Sequence, residues 1–343
     1  MGLALIVHGG AGAMSRDRYE AAREGCRAAA VAGWRILVQG GSALDAVQAA
    51  IMALEDNPGF NAGTGAVLTK DGRAQLDAGL MDGATLDIGA VAGVERIKNP
   101  IALARSVLAS PHVLLMGAGA EEFAVNAGMA LCEPGELVTP AQYARWQRGY
   151  AAGDDVNIGS QLDVGAGPHS NSNGKSEKAE KAGSAKNGRR SGKVGAQVDA
   201  QPVHVDGHKH GTVGAVAVDA AGHTAAGAST GGIAAKHPGR IGDTPLPGCG
   251  FCAEDGLGGV SSTGHGEDFI RLLLARRALD FIAAGHSAQA AAIAAIRLLD
   301  TRVHGDGGLI LLDGAGRVGY ARNTQTMAHA FIIEGMDTPF AGV

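Results

Sequence analysis

Thr212 stands where a Ser-, Asn-, Gly- and Lys-rich segment ends at Gly211 and the apolar run Val213-Gly214-Ala215-Val216-Ala217-Val218 begins. By type it suits a β-branched residue opening a strand, but its position allows more. Cleavage before Thr212 would free an α-amine at the start of an ordered strand. Such a residue holds nucleophile and base together: the hydroxyl attacks, and the α-amine, with an intrinsic pKa of about 7.7–8.0, accepts the proton. No histidine is required. The small Gly211 lets the same hydroxyl approach the Gly211 carbonyl and cut the chain by an N→O acyl shift.

Other chemistry-bearing patterns are weaker. Val113-Leu114-Leu115-Met116-Gly117-Ala118-Gly119-Ala120-Glu121-Glu122 reads as strand, G-x-G, helix. Glu122 takes the place of the third glycine of a dinucleotide fingerprint and brings a carboxylate where pyrophosphate would sit. Ser15 breaks the Gly10-x-Gly12 turn in the same way, so both read as tight turns. Cys249-Gly250-Phe251-Cys252 has no second pair or histidine set to complete four zinc ligands. It follows Pro245 and Pro247 rather than opening a helix as a redox dithiol does, so it reads as two ordinary thiols. His204, His208 and His210 fall in the low-complexity segment and carry little weight as metal ligands.

The elements that must hold such a site follow from periodicity. Residues 3–7 read as a short buried strand ended by His8-Gly9-Gly10-Ala11-Gly12-Ala13. A helix over about 19–38 follows. A second starts at Ser42, with Asp45 completing an S-x-x-D box, and stops before Asn57-Pro58-Gly59. Residues 66–94 predict several short antiparallel strands. Asn99-Pro100 opens a helix, 112–116 reads as a buried strand, and helices are expected around 121–130 and 141–151. After Gly211, residues 212–218 and 223–229 form a hairpin across Asp219-Ala220-Ala221-Gly222, and 260–263 is a strand. Alanine-rich helices over 267–284 and 287–299 precede strands at 309–312, 318–322 and 328–333. Strands at both ends with helices between them predict stacked sheets covered by helix layers.

The segment from about 153 to 209 cannot bury a core and reads as a mobile linker. Glu177 and Glu180 dilute its Lys/Arg cluster, and no aromatics are interleaved to stack on bases, so a solvated loop is favoured over a nucleic-acid tail. The 343 residues carry 29 Lys and Arg against 34 Asp and Glu, a formal charge of −5. That balance gives no reason to expect a nucleic-acid or membrane partner. The 55 glycines exceed the ordinary share of roughly 7% about twofold, but without a three-residue period, which excludes a collagen-like chain. Four cysteines make no disulfide framework at this length. With no basic leader and no apolar run of about 20 residues, a cytoplasmic protein is expected.

Seven stretches share a further property: His8-Gly9-Gly10-Ala11-Gly12, Phe60-Asn61-Ala62-Gly63-Thr64-Gly65, Met81-Asp82-Gly83, Gly211-Thr212-Val213-Gly214-Ala215-Val216, Ser229-Thr230-Gly231-Gly232, Pro238-Gly239-Arg240-Ile241-Gly242-Asp243 and Ser262-Thr263-Gly264-His265-Gly266-Glu267. In order and spacing, and over nearly the whole chain, they resemble the plant-type L-asparaginase and isoaspartyl peptidase branch of the N-terminal nucleophile hydrolases. The resemblance implies an α+β fold, a four-layer αββα sandwich of one domain over 1–343, made as an autoproteolytic precursor. It implies an α subunit of 1–211 that includes the linker, a β subunit of 212–343 that starts at the nucleophile, and a homodimer of such units.

Carried over residue by residue, Thr212 resembles the nucleophile and Thr230 the threonine that orients its amine. Thr263 and Gly264 resemble an oxyanion hole, Asn61 the residue that steadies the scissile bond, and Gly266 a substrate-contacting glycine. Arg240 and Asp243 resemble the pair that holds a free amino-acid end. Their chemistry suits that role, since a guanidinium grips an α-carboxylate in bidentate fashion and a carboxylate takes an α-ammonium. In isolation the same pair reads as a surface ion pair. The implied reactions are hydrolysis of L-asparagine to L-aspartate and ammonia, and of β-aspartyl dipeptides, through a β-aspartyl ester on Thr212. Beside these stand two alternatives: a related hydrolase acting on glycosylated asparagine or protein Asp bonds, and a non-catalytic nucleotide- or partner-binding α/β protein. No cofactor is implied beyond a structural sodium ion wrapped by backbone carbonyls of Leu54, Glu55, Asn57, Phe60, Ala62 and Thr64. One departure from the family pattern is the longer, more polar 153–209 stretch, which bears on the efficiency of cleavage rather than on its chemistry.

Overall fold

In a computed structural model that describes residues 2–151 and 211–343, the apolar runs of the sequence become strands and helices in mixed α/β order. The first half contains β1 (Ala4–Gly12), α1 (Tyr19–Val38), α2 (Ala43–Glu55), β2 (Leu76–Asp82), β3 (Ile88–Val94), α3 (Pro100–Leu108), β4 (Leu114–Met116), α4 (Gly117–Asn126) and α5 (Pro140–Ala151). The second half contains β5 (Val213–Val218), β6 (Thr224–Thr230), β7 (Phe251–Glu254), β8 (Gly258–Gly264), α6 (Gly266–Leu272), α7 (Leu274–Ala283), α8 (Ala288–Val303), β9 (Gly307–Asp313), β10 (Val318–Arg322), β11 (Thr326–Ile333) and β12 (Phe340–Gly342).

The strands form two sheets, one of eight in the order β12-β11-β1-β5-β6-β2-β3-β4 and one of four in the order β10-β9-β8-β7. Every pairing is antiparallel except β3 with β4. Ile6, Val216 and Ala226 of the large sheet share an apolar cluster with Phe251, Val260, Leu309 and Leu311 of the small one. Helices α1, α2 and α3 pack on strands of the large sheet, and α7 and α8 on strands of the small one. The eight-stranded sheet interleaves the two halves of the sequence: β5, from after the low-complexity segment, lies between β1, from before it, and β6.

Glycine sets how closely these layers approach. A Cβ on Gly214 would lie 2.0 Å from Ser261 Oγ and 2.5 Å from His8 Nε2, so only a glycine lets β5 meet β8 there. At Gly89 of β3 a Cβ would lie 2.0 Å from the Ala104 carbonyl, which fixes the approach of α3.

Most elements follow the periodicity. The helix expected over 19–38 has those bounds, and Ser42 Oγ accepts the Asp45 N–H at 3.1 Å as the capping box requires. Five expectations need correction. Residues 66–75 supply only the isolated bridges Leu68–Ala74 and Thr69–Lys236, so 66–94 holds two strands. The stretch 112–116 is a three-residue strand with Leu114 43% and Met116 67% exposed, because it pairs at the sheet's edge instead of inside it. Helix α4 starts earlier than 121, at Gly117, whose φ of +51° suits glycine. The helix expected over 267–284 is broken at Leu273, with φ +52°. Strands β7 and β12 were not anticipated; four and three residues are too short for a period to register. The expected linker at 153–209, with His204, His208 and His210 near it, lies outside the described residues. Among the described residues no helix is long and apolar enough to cross a membrane.

Candidate active site

The β5–β6 register pairs Val213 with Ser229, which brings Thr212 beside Thr230 at the mouth of the hairpin. Thr212 is buried, and its hydroxyl donates to Thr230 Oγ1 at 3.3 Å. Thr230 Oγ1 donates in turn to the Gly211 carbonyl at 2.8 Å and accepts the Gly232 N–H at 2.9 Å. Asn61 arrives on the loop after α2. Its Nδ2 donates to the carbonyls of Gly211 and Gly232, each at 2.7 Å, and its Oδ1 accepts the Val67 N–H at 2.8 Å. The carbonyl of Gly211 therefore has two side-chain donors aimed at its oxygen, next to the Thr212 hydroxyl. Such an arrangement stabilises negative charge that develops on that oxygen during nucleophilic attack.

Strand β1 closes the other side. A Cβ on Gly10, φ +106°, would lie 3.1 Å from Gly211 Cα and 3.5 Å from the Thr212 nitrogen, so the backbones touch there. The next residue, Ala11, donates its N–H to Thr263 Oγ1 at 3.2 Å. Thr263 and Gly264 end β8 and thus reach the Thr212 region through residues 10 and 11 of β1. Behind them His8 is fully buried and burial drops its imidazole to about 3, so it is neutral. Its Nε2 lies 3.0 Å from Ser261 Oγ, which donates to the Gly227 carbonyl at 3.0 Å.

Arg240 and Asp243 sit in the loop between β6 and β7, Asp243 held against β8 and Arg240 against the start of α6. Ser262 Oγ, adjacent to Thr263, lies 3.4 Å from Asp243 Oδ2. A Cβ on Gly266 would lie 2.9 Å from Asp243 Oδ1, so this glycine leaves the carboxylate room. Burial pushes Asp243 up to about 6, against the pull of Arg240. Arg240 donates through Nε and Nη2 to the two oxygens of Glu267 at 2.9 and 2.6 Å. Burial would raise the Glu267 carboxyl, but the Arg240 bonds and charge outweigh it and hold it at about 2. That partner was not assigned from sequence, although Glu267 closes the Ser262–Glu267 motif. Nor were Lys236 and Asp77: the buried Lys236 ammonium donates to the Gln75 carbonyl at 2.8 Å and lies 3.9 Å from Asp77 Oδ2, under the loop that leads to Arg240.

Cys249 and Cys252 are free thiols, pushed up to about 11 chiefly by burial, and so behave as packing residues. The loop over 54–65 carries the six backbone carbonyls singled out for sodium. Gly63 (φ +50°) and Gly65 (φ +111°) fold it tightly enough that a Cβ at Gly63 would lie 2.6 Å from the Glu55 carbonyl and one at Gly65 2.9 Å from the Phe60 carbonyl. Three of the six carbonyls accept backbone N–H groups within the loop: Leu54 from Asn57 at 3.3 Å, Glu55 from Thr64 at 2.9 Å and Asn57 from Phe60 at 3.1 Å.

The asparaginase family model matches residues 1–339. The chain is 42% identical over 344 residues to the plant-type L-asparaginase of Pyrococcus abyssi, covering 99% of this chain and 100% of that protein. It is 40% identical over 315 residues to the isoaspartyl peptidase/L-asparaginase of Bos taurus, covering 91% of this chain and 87% of that one. With the human protein of that name the identity is 39% over 315 residues, again 91% and 87% of the two chains.

Proposed function

The chain belongs to the asparaginase family, and on that premise we propose that it is a self-cleaving threonine amidohydrolase of L-asparagine and β-aspartyl dipeptides. The observation that carries the reading is the Gly211 carbonyl, held by Asn61 and Thr230 beside the Thr212 hydroxyl. In the precursor Thr212 Oγ1 attacks that carbonyl, the Gly211–Thr212 C–N bond breaks, and the resulting ester is hydrolysed by water. The products are a carboxylate at Gly211 and a free α-amine at Thr212, hence an α subunit of 1–211 and a β subunit of 212–343.

The freed amine then serves as the base for Thr212, with Thr230 orienting it. Asparagine or a β-aspartyl dipeptide offers the same α-carboxylate and α-ammonium, to Arg240 and Asp243. Glu267 occupies the Nε and Nη2 edge of Arg240, so Nη1 is the donor turned to substrate; it lies 3.0 Å from where a Gly242 Cβ would stand, next to Asp243. Attack on the side-chain carbonyl gives an oxyanion for Thr263 Oγ1 and the Gly264 N–H, with Gly266 leaving space for the substrate. Collapse expels ammonia or an amino acid, and water hydrolyses the β-aspartyl ester to aspartate.

The helix-on-sheet and sheet-on-sheet packing supports a four-layer αββα sandwich for this enzyme. A sodium ion on the carbonyls of Leu54, Glu55, Asn57, Phe60, Ala62 and Thr64 would brace the Asn61 loop and take no part in the chemistry.

Mass spectrometry of the purified protein and of Thr212→Ala tests the reading. The parent should give two pieces, the second starting at Thr212, and release ammonia from asparagine; the variant should stay whole and inactive. An uncut parent that hydrolyses asparagine overturns the mechanism.

A further inference from the structure

We infer that Lys236 is a positioning residue for the Thr212 centre: its buried ammonium pins the turn at Gly231-Gly232 to strand β2, and that turn aims the two donors on the Gly211 carbonyl. The inference rests on the function proposed above and adds to it a residue set behind the reacting groups.

Both donors take their direction from Gly232. Its N–H donates to Thr230 Oγ1 at 2.9 Å, which occupies a lone pair of that hydroxyl and leaves its proton for the Gly211 oxygen at 2.8 Å. Its carbonyl accepts one Asn61 Nδ2 proton at 2.7 Å, which leaves the other for Gly211, also at 2.7 Å. A displaced Gly232 would turn both donors away together.

Lys236 sets where Gly232 lies. A Cβ on Gly232, φ +81°, would stand 2.9 Å from Lys236 Cδ and 3.0 Å from its Nζ, so the stem and the ammonium pack directly against this glycine. The ammonium donates to the Gln75 carbonyl at 2.8 Å and lies 3.9 Å from Asp77 Oδ2, an oxygen with no hydrogen bond among the described residues. Asp77 Oδ1 accepts the Gly93 N–H at 2.8 Å. Asp77 stands opposite Thr230 in the β2–β6 register, so the lysine ties the turn to the neighbouring strand at the level of Thr230. The backbone of Lys236 is fixed as well: its N–H donates to the Ile233 carbonyl at 3.2 Å, and its carbonyl accepts the Lys70 N–H at 2.8 Å.

Lys236 and Asp77 are both buried, and burial lowers the ammonium and raises the carboxyl, each against the pull of the other. Such a pair adds little stability over apolar side chains of the same shape. Stability therefore gives no reason for a lysine at 236, whereas the reach to Gln75, which an apolar side chain cannot make, does. The Arg240 loop has ties of its own, from the Gly239 N–H to Gln75 Oε1 at 2.8 Å and from Arg240 to Glu267. The effect of Lys236 thus falls on the nucleophile rather than on substrate binding.

The test uses Lys236→Met and Lys236→Met/Asp77→Asn in the full chain. Lys236→Met should slow self-cleavage by about 10²-fold, the scale of a slightly misplaced reacting group. In its cleaved fraction kcat for asparagine should fall while KM stays near the parent's. This variant also strands a buried carboxylate and should melt lower. The double variant keeps the acceptor for Gly93 and removes both charges, so it should recover the parent's melting temperature without recovering the cleavage rate or kcat. A double variant that melts and cuts like the parent makes the pair structural only and overturns the inference. So does a Lys236→Met chain that cuts at the parent's rate, or one whose loss is confined to KM. A parent that neither cuts itself nor releases ammonia from asparagine overturns the functional reading, and this inference with it.

Discussion

Asn61 and Asp243 show how much a single side chain decides here. Asn61 supplies one of two donors to the Gly211 oxygen. Asn61→Asp keeps the acceptor for Val67 and the shape but loses the donated proton. Its self-cleavage should slow by about 10²–10³-fold, the usual cost of one oxyanion donor, measured as loss of intact chain with time. Asp243 carries a pH dependence. Only its ionised form takes an α-ammonium, so affinity for asparagine should climb with pH to about 6 and then level off, while kcat/KM should go on rising as the Thr212 α-amine loses its proton. Stability runs the other way. Its folded value lies above the ordinary carboxylate value, so the folded state holds the proton longer and loses stability as pH rises through that window. Asp243→Asn should therefore melt higher than the parent at neutral pH, lose that advantage below about pH 4, and bind substrate poorly. Thr212 was legible in the sequence because a hydroxyl just after Gly211 opens an apolar strand where a low-complexity segment ends, whereas Thr230 and Asn61 were reached only through the resemblance of their glycine-flanked motifs to the family. The Ala11 N–H was not, since a backbone donor has no side-chain signature. The role of Glu267 depends on a loop folding back to bring Arg240 to it.

At the scale of elements, small residues govern the geometry. Helix α3 lies on β3 through Gly89, where a Cβ would stand 2.0 Å from the Ala104 carbonyl. Gly89→Ala cannot be absorbed by turning a side chain, so α3 must shift. A loss of about 1–3 kcal/mol is expected from overpacking, read by denaturant titration, with self-cleavage slowed less than by Asn61→Asp. Long helices and their caps were readable because period and capping residues agree, as in α1 and at Ser42. The break at Leu273 was not. A leucine at φ +52° opposes its own local preference, and packing of α6 and α7 overrides it. The edge strand β4 misled for a related reason: its apolar residues suggested burial, but no partner covers its outer side in the described sheet.

For the whole molecule, the two sheets were foreseeable from strands at both ends of the chain, whereas the strand order was invisible to any local period because it depends on pairings far apart in sequence. That order has a direct consequence for the cut enzyme. Strand β1 would belong to one piece while both its neighbours, β11 and β5, belong to the other. The pieces should co-elute as one species on gel filtration in native buffer and separate only in denaturant or on a denaturing gel. Two separately eluting pieces would contradict the shared sheet.

The same interleaving changes the thermodynamics of the molecule at the moment of cleavage. Before the cut, forming the sheet is an event within one chain, and it adds no dependence of the midpoint on protein concentration. Afterwards unfolding is also a dissociation, so the melting temperature acquires a concentration dependence and refolding requires two strangers to find each other. The single bond between Gly211 and Thr212 thus sets the molecularity of folding, and the uncut chain is the only form that can assemble this sheet at high dilution.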